Sequence, residues 1–274
     1  MQSTDQPATG SELHQAAGAI SAYVELAETK IHYEVRGAGE LVLLLHGWGA
    51  SIKSMGPVFD GLATSYRVVA IDFPGFGESG LPPAPWGVPE YTECLLRVMD
   101  ELGLERPHII AHSFGGRMTI RLATLHPERV NKIVLVDSAG VRPPRPAKYY
   151  FKIGAAKTAK FLAKYGGSIG KSIRSSIYSR IASKDYASAG PLRDTFVKVV
   201  NDDQTEILPD IQSPVLLVWG ADDQDTPVAS AKIMERLIPS ASLVVLQNAG
   251  HFSYLDQPNK FNLIVRKFLR DSNT

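Results

Sequence analysis

Six short, nearly continuous apolar runs punctuate the chain, at residues 41–45, 67–71, 108–111, 133–136, 215–219 and 243–246. Runs of this length that lack a polar residue at every second position read as strands buried on both faces. Between them, apolar residues recur at helical spacing in 91–102, 117–125, 228–237 and 259–269. Ahead of the first run, 23–26 and 30–36 alternate polar and apolar residues, the pattern of a half-buried hairpin. Buried strands alternating with amphipathic helices predict an α/β protein with a mostly parallel central sheet covered by helices on both faces. No internal repeat interrupts that rhythm.

With 274 residues and 44% hydrophobic content, such a chain buries roughly 75% of its unfolded surface in one large core. Residues 1–18 are polar, without a basic start or an apolar run suited to a signal peptide, and are expected to form a flexible tail. No stretch reaches the roughly 18 apolar residues that span a bilayer, so the expectation is a cytoplasmic protein without integral membrane contact. Lys and Arg total 29 against 28 Asp and Glu, which removes any overall bias toward nucleic acid. Cys94 is the single cysteine; it has no disulfide partner in the chain and no metal-ligand spacing around it.

The candidate chemistry lies where predicted strands end, since ligands of open α/β sheets bind at the strands' carboxyl ends. In IIAHSFGG the apolar run at 108–111 leads directly to Ser113, with Ala111 and Gly115 two positions to either side and Gly116 behind. Small neighbours let a strand bend sharply into a helix and project the apex residue; a plain N-cap serine explains the same letters. After the run LVLLL comes His46-Gly47-Trp48-Gly49, a glycine-flanked loop able to approach that serine. His46 is read as a structural histidine holding this turn. LLVWGADDQDTP carries three acids, Asp222, Asp223 and Asp225, after a late strand. LQNAGHF places His251 after the last strand, and of seven histidines it alone follows both a candidate nucleophile and a candidate acid.

HGWG, IDFPGFGES, AHSFGG, GADD and AGHF, in this order, resemble the α/β-hydrolase superfamily from about Ile20 to Leu269. The first glycine of the family's G-x-S-x-G is Ala111 here. The resemblance implies the α/β-hydrolase fold, with Ser113 as nucleophile, His251 as general base, and an oxyanion hole formed by the amides of Trp48 and Phe114. One such donor is worth about 3 to 4 kcal/mol of transition-state stabilisation. The family pattern of Gly220, the acid and Pro227 selects Asp223, with Asp222 and Asp225 as loop residues or caps; relatives that carry the acid one strand earlier would implicate Asp137 in VLVDSAG. Asp72 in DFPGFGES is expected to hydrogen-bond loop amides, and Arg117 is expected to be exposed or ion-paired, with no role.

The implied chemistry is a serine hydrolase cleaving carboxylic esters of small to medium size through an acyl-enzyme, a carboxylesterase-like enzyme with no metal or organic cofactor. HExxH, Walker and dinucleotide fingerprints are absent. Relatives that use an aspartate nucleophile are disfavoured by Ser113. Carbon–carbon bond hydrolases keep the serine, though with an oxyanion loop richer in glycine than HGWG; a perhydrolase and a non-catalytic small-ligand receptor complete the alternatives. Core residues are expected at 19–140 and 211–274, with 141–210 as a helical cap, or lid, inserted after the sixth strand. Trp48, Phe114, Tyr149, Tyr150 and Phe151 are the candidate substrate-pocket lining. Between Val141 and Lys184 stand 11 Lys and Arg and no acid, leaving 18 basic and 28 acidic residues elsewhere. Lys157, Lys160 and Lys164 form a stripe that reads first as a solvated helix face, and more sharply as attraction for an anionic substrate or weak contact with an acidic lipid surface. The oligomeric state is not encoded in any of these motifs.

Overall fold

The computed structural model describes residues 19–142 and 188–271. Among these, eight strands form one sheet in the order β1-β2-β4-β3-β5-β6-β7-β8. The strands are β1 (Ile20–Glu25), β2 (Lys30–Arg36), β3 (Leu41–Leu45), β4 (Arg67–Ile71), β5 (His108–His112), β6 (Ile133–Val136), β7 (Val215–Gly220) and β8 (Ala241–Leu246). β1 pairs with β2 and β2 with β4 antiparallel. From β4 across to β8 every pairing is parallel. The predicted hairpin and mostly parallel sheet are therefore both present.

Helices cover both faces because side chains of a strand alternate sides. On one face Leu43, Leu45, Ile109, Ala111, Leu135, Leu217 and Trp219 pack against α2 (Val88–Glu101), α3 (Phe114–Leu125) and α5 (Val228–Leu237). On the other, Val42, Leu44, Ile110, Val134, Val136 and Val218 meet α1 (Gly56–Ala63), α6 (Ser253–Asp256) and α7 (Pro258–Arg270). Phe261, Val265 and Leu269 lie four residues apart and form the buried stripe of α7. α2 starts with Pro89 in its first turn, and the Glu90 carboxylate accepts from the Gly87 amide at 2.8 Å, half of a capping box.

Of the expected cap at 141–210, the described part is helical: a 3-10 turn at Gly190–Leu192, α4 (Arg193–Asn201) and a second 3-10 stretch at Thr205–Asp210. The 1–18 tail, Tyr149, Tyr150, Phe151 and the lysine stripe lie outside the described residues. No helix among the described residues is long and apolar enough to cross a membrane.

One buried cation ties the last helix to the sheet. Lys132, just before β6, donates to the carbonyls of Phe268, Leu269 and Asp271 at 3.1, 2.8 and 2.5 Å. A positive charge at a helix C-terminus is favourable, and it satisfies carbonyls that lack helical partners. Lys132→Met is expected to lower stability by about 2 kcal/mol, read as a lower denaturant midpoint.

Candidate active site

Ser113 is the hinge between β5 and α3, and its backbone is strained. At φ 46° and ψ −106° it sits where a residue with a side chain costs about 1–3 kcal/mol. Neighbours on several sides hold it there. Its amide donates to the Val136 carbonyl at 3.0 Å, extending the β5–β6 pairing by one step, and its carbonyl accepts from the amides of Gly116 and Ala139 at 3.1 and 3.0 Å. Gly115 donates to the His46 carbonyl at 3.2 Å, and a methyl group on it would sit 2.8 and 2.9 Å from the carbonyl oxygens of Leu45 and His46. Only glycine lets α3 begin this close to β3. Phe114 is the first residue of α3, so its amide is one of the helix-end donors without an intrahelical acceptor, at the positive end of the helix dipole.

The loops after β7 and β8 bring an acid and an imidazole to this hydroxyl. His251 Nε2 lies 3.0 Å from Ser113 Oγ, and His251 Nδ1 lies 3.0 Å from Asp223 Oδ2. With Nδ1 carrying its proton toward the carboxylate, Nε2 presents a lone pair to the serine hydroxyl. Asp223 is buried, and its Oδ1 accepts from the amides of Asp225 and Thr226 at 2.8 and 3.0 Å. The two loops meet at Gly220, where a methyl group would lie 2.1 Å from the Gly250 carbonyl oxygen.

Electrostatics follow from this contact. Burial works to raise the Asp223 carboxyl, but hydrogen bonds from His251 and Thr226 outweigh it, so Asp223 titrates below its ordinary value. Burial works to lower the His251 imidazole, but the hydrogen bond and charge of Asp223 outweigh it, so His251 titrates above its ordinary value. Each group favours the charged state of the other.

Asp222 and Asp225 are exposed, whereas Asp223 points inward. Asp137 does not face the imidazole: its Oδ1 accepts from the Gly220 amide at 2.7 Å and its Oδ2 from the Ser253 amide at 3.1 Å. It thereby joins the acid-bearing loop to the histidine-bearing loop. Burial pushes its carboxyl up to about 7. Asp223, Asp225 and His251 also form the one group of three or more acids and imidazoles among the described residues whose ligand atoms lie mutually within 4.8 Å. Since His251 Nδ1 and both Asp223 oxygens are engaged in hydrogen bonds, the cluster reads as a hydrogen-bonded pair beside a third acid rather than a metal shell.

The HGWG loop lies against the turn, with a Gly47 to Ala50 hydrogen bond of 3.2 Å that leaves Trp48 at a corner. His46 is fully buried and structural: its Nδ1 donates to the Gly47 carbonyl at 2.7 Å, and its Nε2 accepts from the Phe73 amide at 3.0 Å. The half-buried Trp48 ring packs edge-on against Phe114, Phe76 and Phe196. The Phe114 ring is only 2% exposed, so it backs the Trp48 wall rather than offering a surface of its own. Asp72 accepts from the amides of Ile52 and Glu78 at 2.7 and 2.9 Å, the loop-holding role its motif implied.

Other residues of the site carried no legible signal. Thr226 Oγ1 reaches Asp223 Oδ2 at 2.7 Å and the Asp137 carbonyl at 2.9 Å. His112 Nε2 donates to the His251 carbonyl at 2.7 Å, fixing the loop that carries the imidazole. Its own burial holds it neutral, lowered to about 3. Arg117 corrects the expectation of an exposed or ion-paired side chain: it is buried, and its Nη1 donates to the Asp202 carbonyl at 2.5 Å. Arg142 donates to the Asn201 carbonyl beside it. Two cations thus hold the C-terminal end of α4, the helix that carries Phe196 to Trp48.

A family model described as the α/β-hydrolase fold matches residues 40–258. The chain is a member of the α/β-hydrolase family. The hydrolase is 29% identical, over 97% of its length and 73% of the relative's, to the dihydrolipoyllysine-residue acetyltransferase component of the acetoin cleaving system of Cupriavidus necator. It is 27% identical to a 2-hydroxy-6-oxononadienedioate/2-hydroxy-6-oxononatrienedioate hydrolase of Paraburkholderia phymatum, over 92% and 96% of the two chains. Among solved structures it resembles a membrane phospholipase A, a bacterial virulence factor, with a TM-score of 0.75, 25% identity and coverage of 94% and 88%.

The direction of the His251 shift predicts a pH profile. Neutral imidazole is the form able to take a proton, so kcat/KM is expected to rise with pH through an inflection above the ordinary histidine value of about 6.5. In Asp223→Asn the carboxylate charge is lost while burial remains, so the inflection moves down and the plateau falls by about 10⁴-fold. Asp225→Asn also moves the inflection down, but by less, since the Asp225 charge supports the imidazolium without hydrogen-bonding to it. Steady-state rates across pH check both.

Proposed function

We propose that this α/β-hydrolase cleaves carboxylic esters of small to medium size by acyl transfer through Ser113. The observation that carries the reading is the line from the Ser113 hydroxyl to His251 and on to Asp223, with both links at 3.0 Å. His251 takes the hydroxyl proton as Oγ attacks the ester carbonyl, and Asp223 stabilises the imidazolium that results. The amides of Phe114 and Trp48 receive the developing oxyanion. The alcohol leaves with the proton from His251, and water repeats the sequence on the acyl-enzyme. No step calls for a metal or organic cofactor.

The described part of the expected cap reaches this site in the same reading, as the contact of Phe196 in α4 with Trp48 supports. The half-buried Trp48 ring then borders the substrate pocket. The likeness to a phospholipase A fits an ester substrate.

A second reading has its own support. The likeness to the oxononadienedioate hydrolase extends over nearly the whole of both chains, and a carbon–carbon bond hydrolase would use the same hydroxyl and imidazole. The oxyanion loop HGWG, with two glycines, favours the ester. A panel of p-nitrophenyl esters of graded acyl length and vinylogous 1,5-diketone substrates separates the two. The ester reading expects higher kcat/KM on an ester, and faster cleavage of the diketone transfers the assignment to the second reading.

Ser113→Ala is expected to lower ester turnover by about 10⁴-fold or more, with an unchanged far-ultraviolet circular dichroism spectrum. Retention of most of the activity by that folded variant removes Ser113 from the mechanism.

A further inference from the structure

A second hydroxyl–imidazole–carboxylate line lies at the antiparallel end of the sheet. Ser21 Oγ is 2.9 Å from His32 Nε2, and His32 Nδ1 is 2.8 Å from Asp72 Oδ2. β2, β4 and β3 separate the strand bearing Ser21 from the strand that leads to Ser113, so the two lines are distinct.

The sheet register builds this array. Tyr23 pairs with His32 and Ser21 with Glu34 across the β1–β2 hairpin, so Ser21 and His32 are diagonal neighbours on one face, within reach of each other. Glu34, the residue directly opposite Ser21, is held by Arg36 at 2.8 Å. The imidazole is fixed at several points. Its backbone amide donates to Ser79 Oγ at 2.8 Å, Ser79 Oγ donates to the Asp72 carbonyl at 2.6 Å, and the Tyr23 ring covers it with centroids 5.3 Å apart. Asp72 is buried and anchored by the amides of Ile52 and Glu78. With Nδ1–H donated to Asp72, Nε2 is the acceptor and the Ser21 hydroxyl the donor, the same proton order as in the Ser113 line. His32 and Asp72 are almost wholly enclosed, yet Ser21 is exposed on the edge strand, where a small reagent reaches it.

We propose that Ser21 is a second covalent acylation site, one that takes the acyl group of small activated esters such as phenyl acetates. Ser21 Oγ bonds to the acyl carbon, the carbon–oxygen bond to the phenol breaks, and the hydroxyl proton passes to His32 Nε2 and on to the departing phenolate. Ser21 lies inside a strand rather than at the start of a helix, so it lacks the helix-end amide that Phe114 gives Ser113. The reaction is therefore stoichiometric acylation and not turnover. It does not depend on the role assigned to Ser113.

The test uses the Ser113→Ala protein, treated with p-nitrophenyl acetate and mapped by peptide mass spectrometry. Ser21 is expected to be acetylated about 10²-fold faster than the other exposed serines, the contribution of a positioned general base. A stoichiometric burst of p-nitrophenol accompanies the labelling and disappears in Ser113→Ala/Ser21→Ala. Ser113→Ala/His32→Gln, if folded, loses the acceleration; if it does not fold, the exposed Ser21→Ala change and the site-by-site rates still decide. Ser21→Ala alone leaves ester turnover of the otherwise wild-type protein unchanged. Acetylation of Ser21 no faster than of other exposed serines, or an unchanged burst in Ser113→Ala/Ser21→Ala, overturns the proposal.

Discussion

Everything at the candidate site depends on the turn at Ser113, a strained residue that the surrounding backbone holds in place. The approach of α3 to β3 at Gly115 removes the room in which the turn would relax, and the Ser113 amide is committed to Val136. The strain is small against the packing of a sheet buried on both faces, so the fold carries it without losing stability. In return the hydroxyl is projected beyond the strand end, beside the first amide of a helix. A serine that merely capped α3 would accept from that helix's amides through its own oxygen; none of its cap amides reaches the Ser113 side chain.

The second constraint is the assembly of partners from distant parts of the chain. Ser113, Asp223 and His251 leave three different strands, β5, β7 and β8, and Asp137, at the end of β6, links two of their loops. Its oxygens hold the Gly220 and Ser253 amides, and its own backbone has φ 43°. That explains why an acid at the end of β6 coexists with a separate acid on the imidazole: Asp137 acts on loop positions, and Asp223 on charge. His112 completes the arrangement from the other side by fixing the His251 carbonyl. Behind Ser113 and His251 thus stand three buried polar groups, Asp223, Asp137 and His112, that hold the imidazole and its loop in place.

Much of this was legible in the chain. β3, β4 and β6 have the bounds their apolar patterns predicted, because strands buried on both faces write themselves as unbroken runs, and β2 and helix α5 have those of their alternating and helical-period patterns. β5 and β7 run one residue further than the patterns, into His112 and Gly220, where the chain turns into the site and packing no longer dictates apolar residues. α1 was missed because Gly56, Pro57 and Gly61 dilute its helical signal. The structure brings Ser113, Asp223 and His251 together; strand ends and small flanking residues mark Ser113 and His251 locally, whereas Asp223 is singled out from its acidic neighbours only by the family spacing between Gly220 and Pro227. Arg117, the link from Thr226 to the Asp137 carbonyl and the bracket made by Asp137 are not legible, since each joins a side chain to a backbone atom remote in sequence: the Asp202 carbonyl is 85 residues from Arg117, the Asp137 carbonyl 89 from Thr226, and the Ser253 amide 116 from Asp137. No pattern of side chains encodes such a pair.

The central claim is that the Ser113 hydroxyl, activated by His251, carries the acyl group during turnover. Rapid-quench mass spectrometry of the wild-type protein during turnover of p-nitrophenyl butyrate tests it most directly. The account predicts a butyryl adduct on the peptide containing Ser113, forming within the first turnover and disappearing as substrate is exhausted. Sustained p-nitrophenol release with that peptide unmodified at every time point would contradict it.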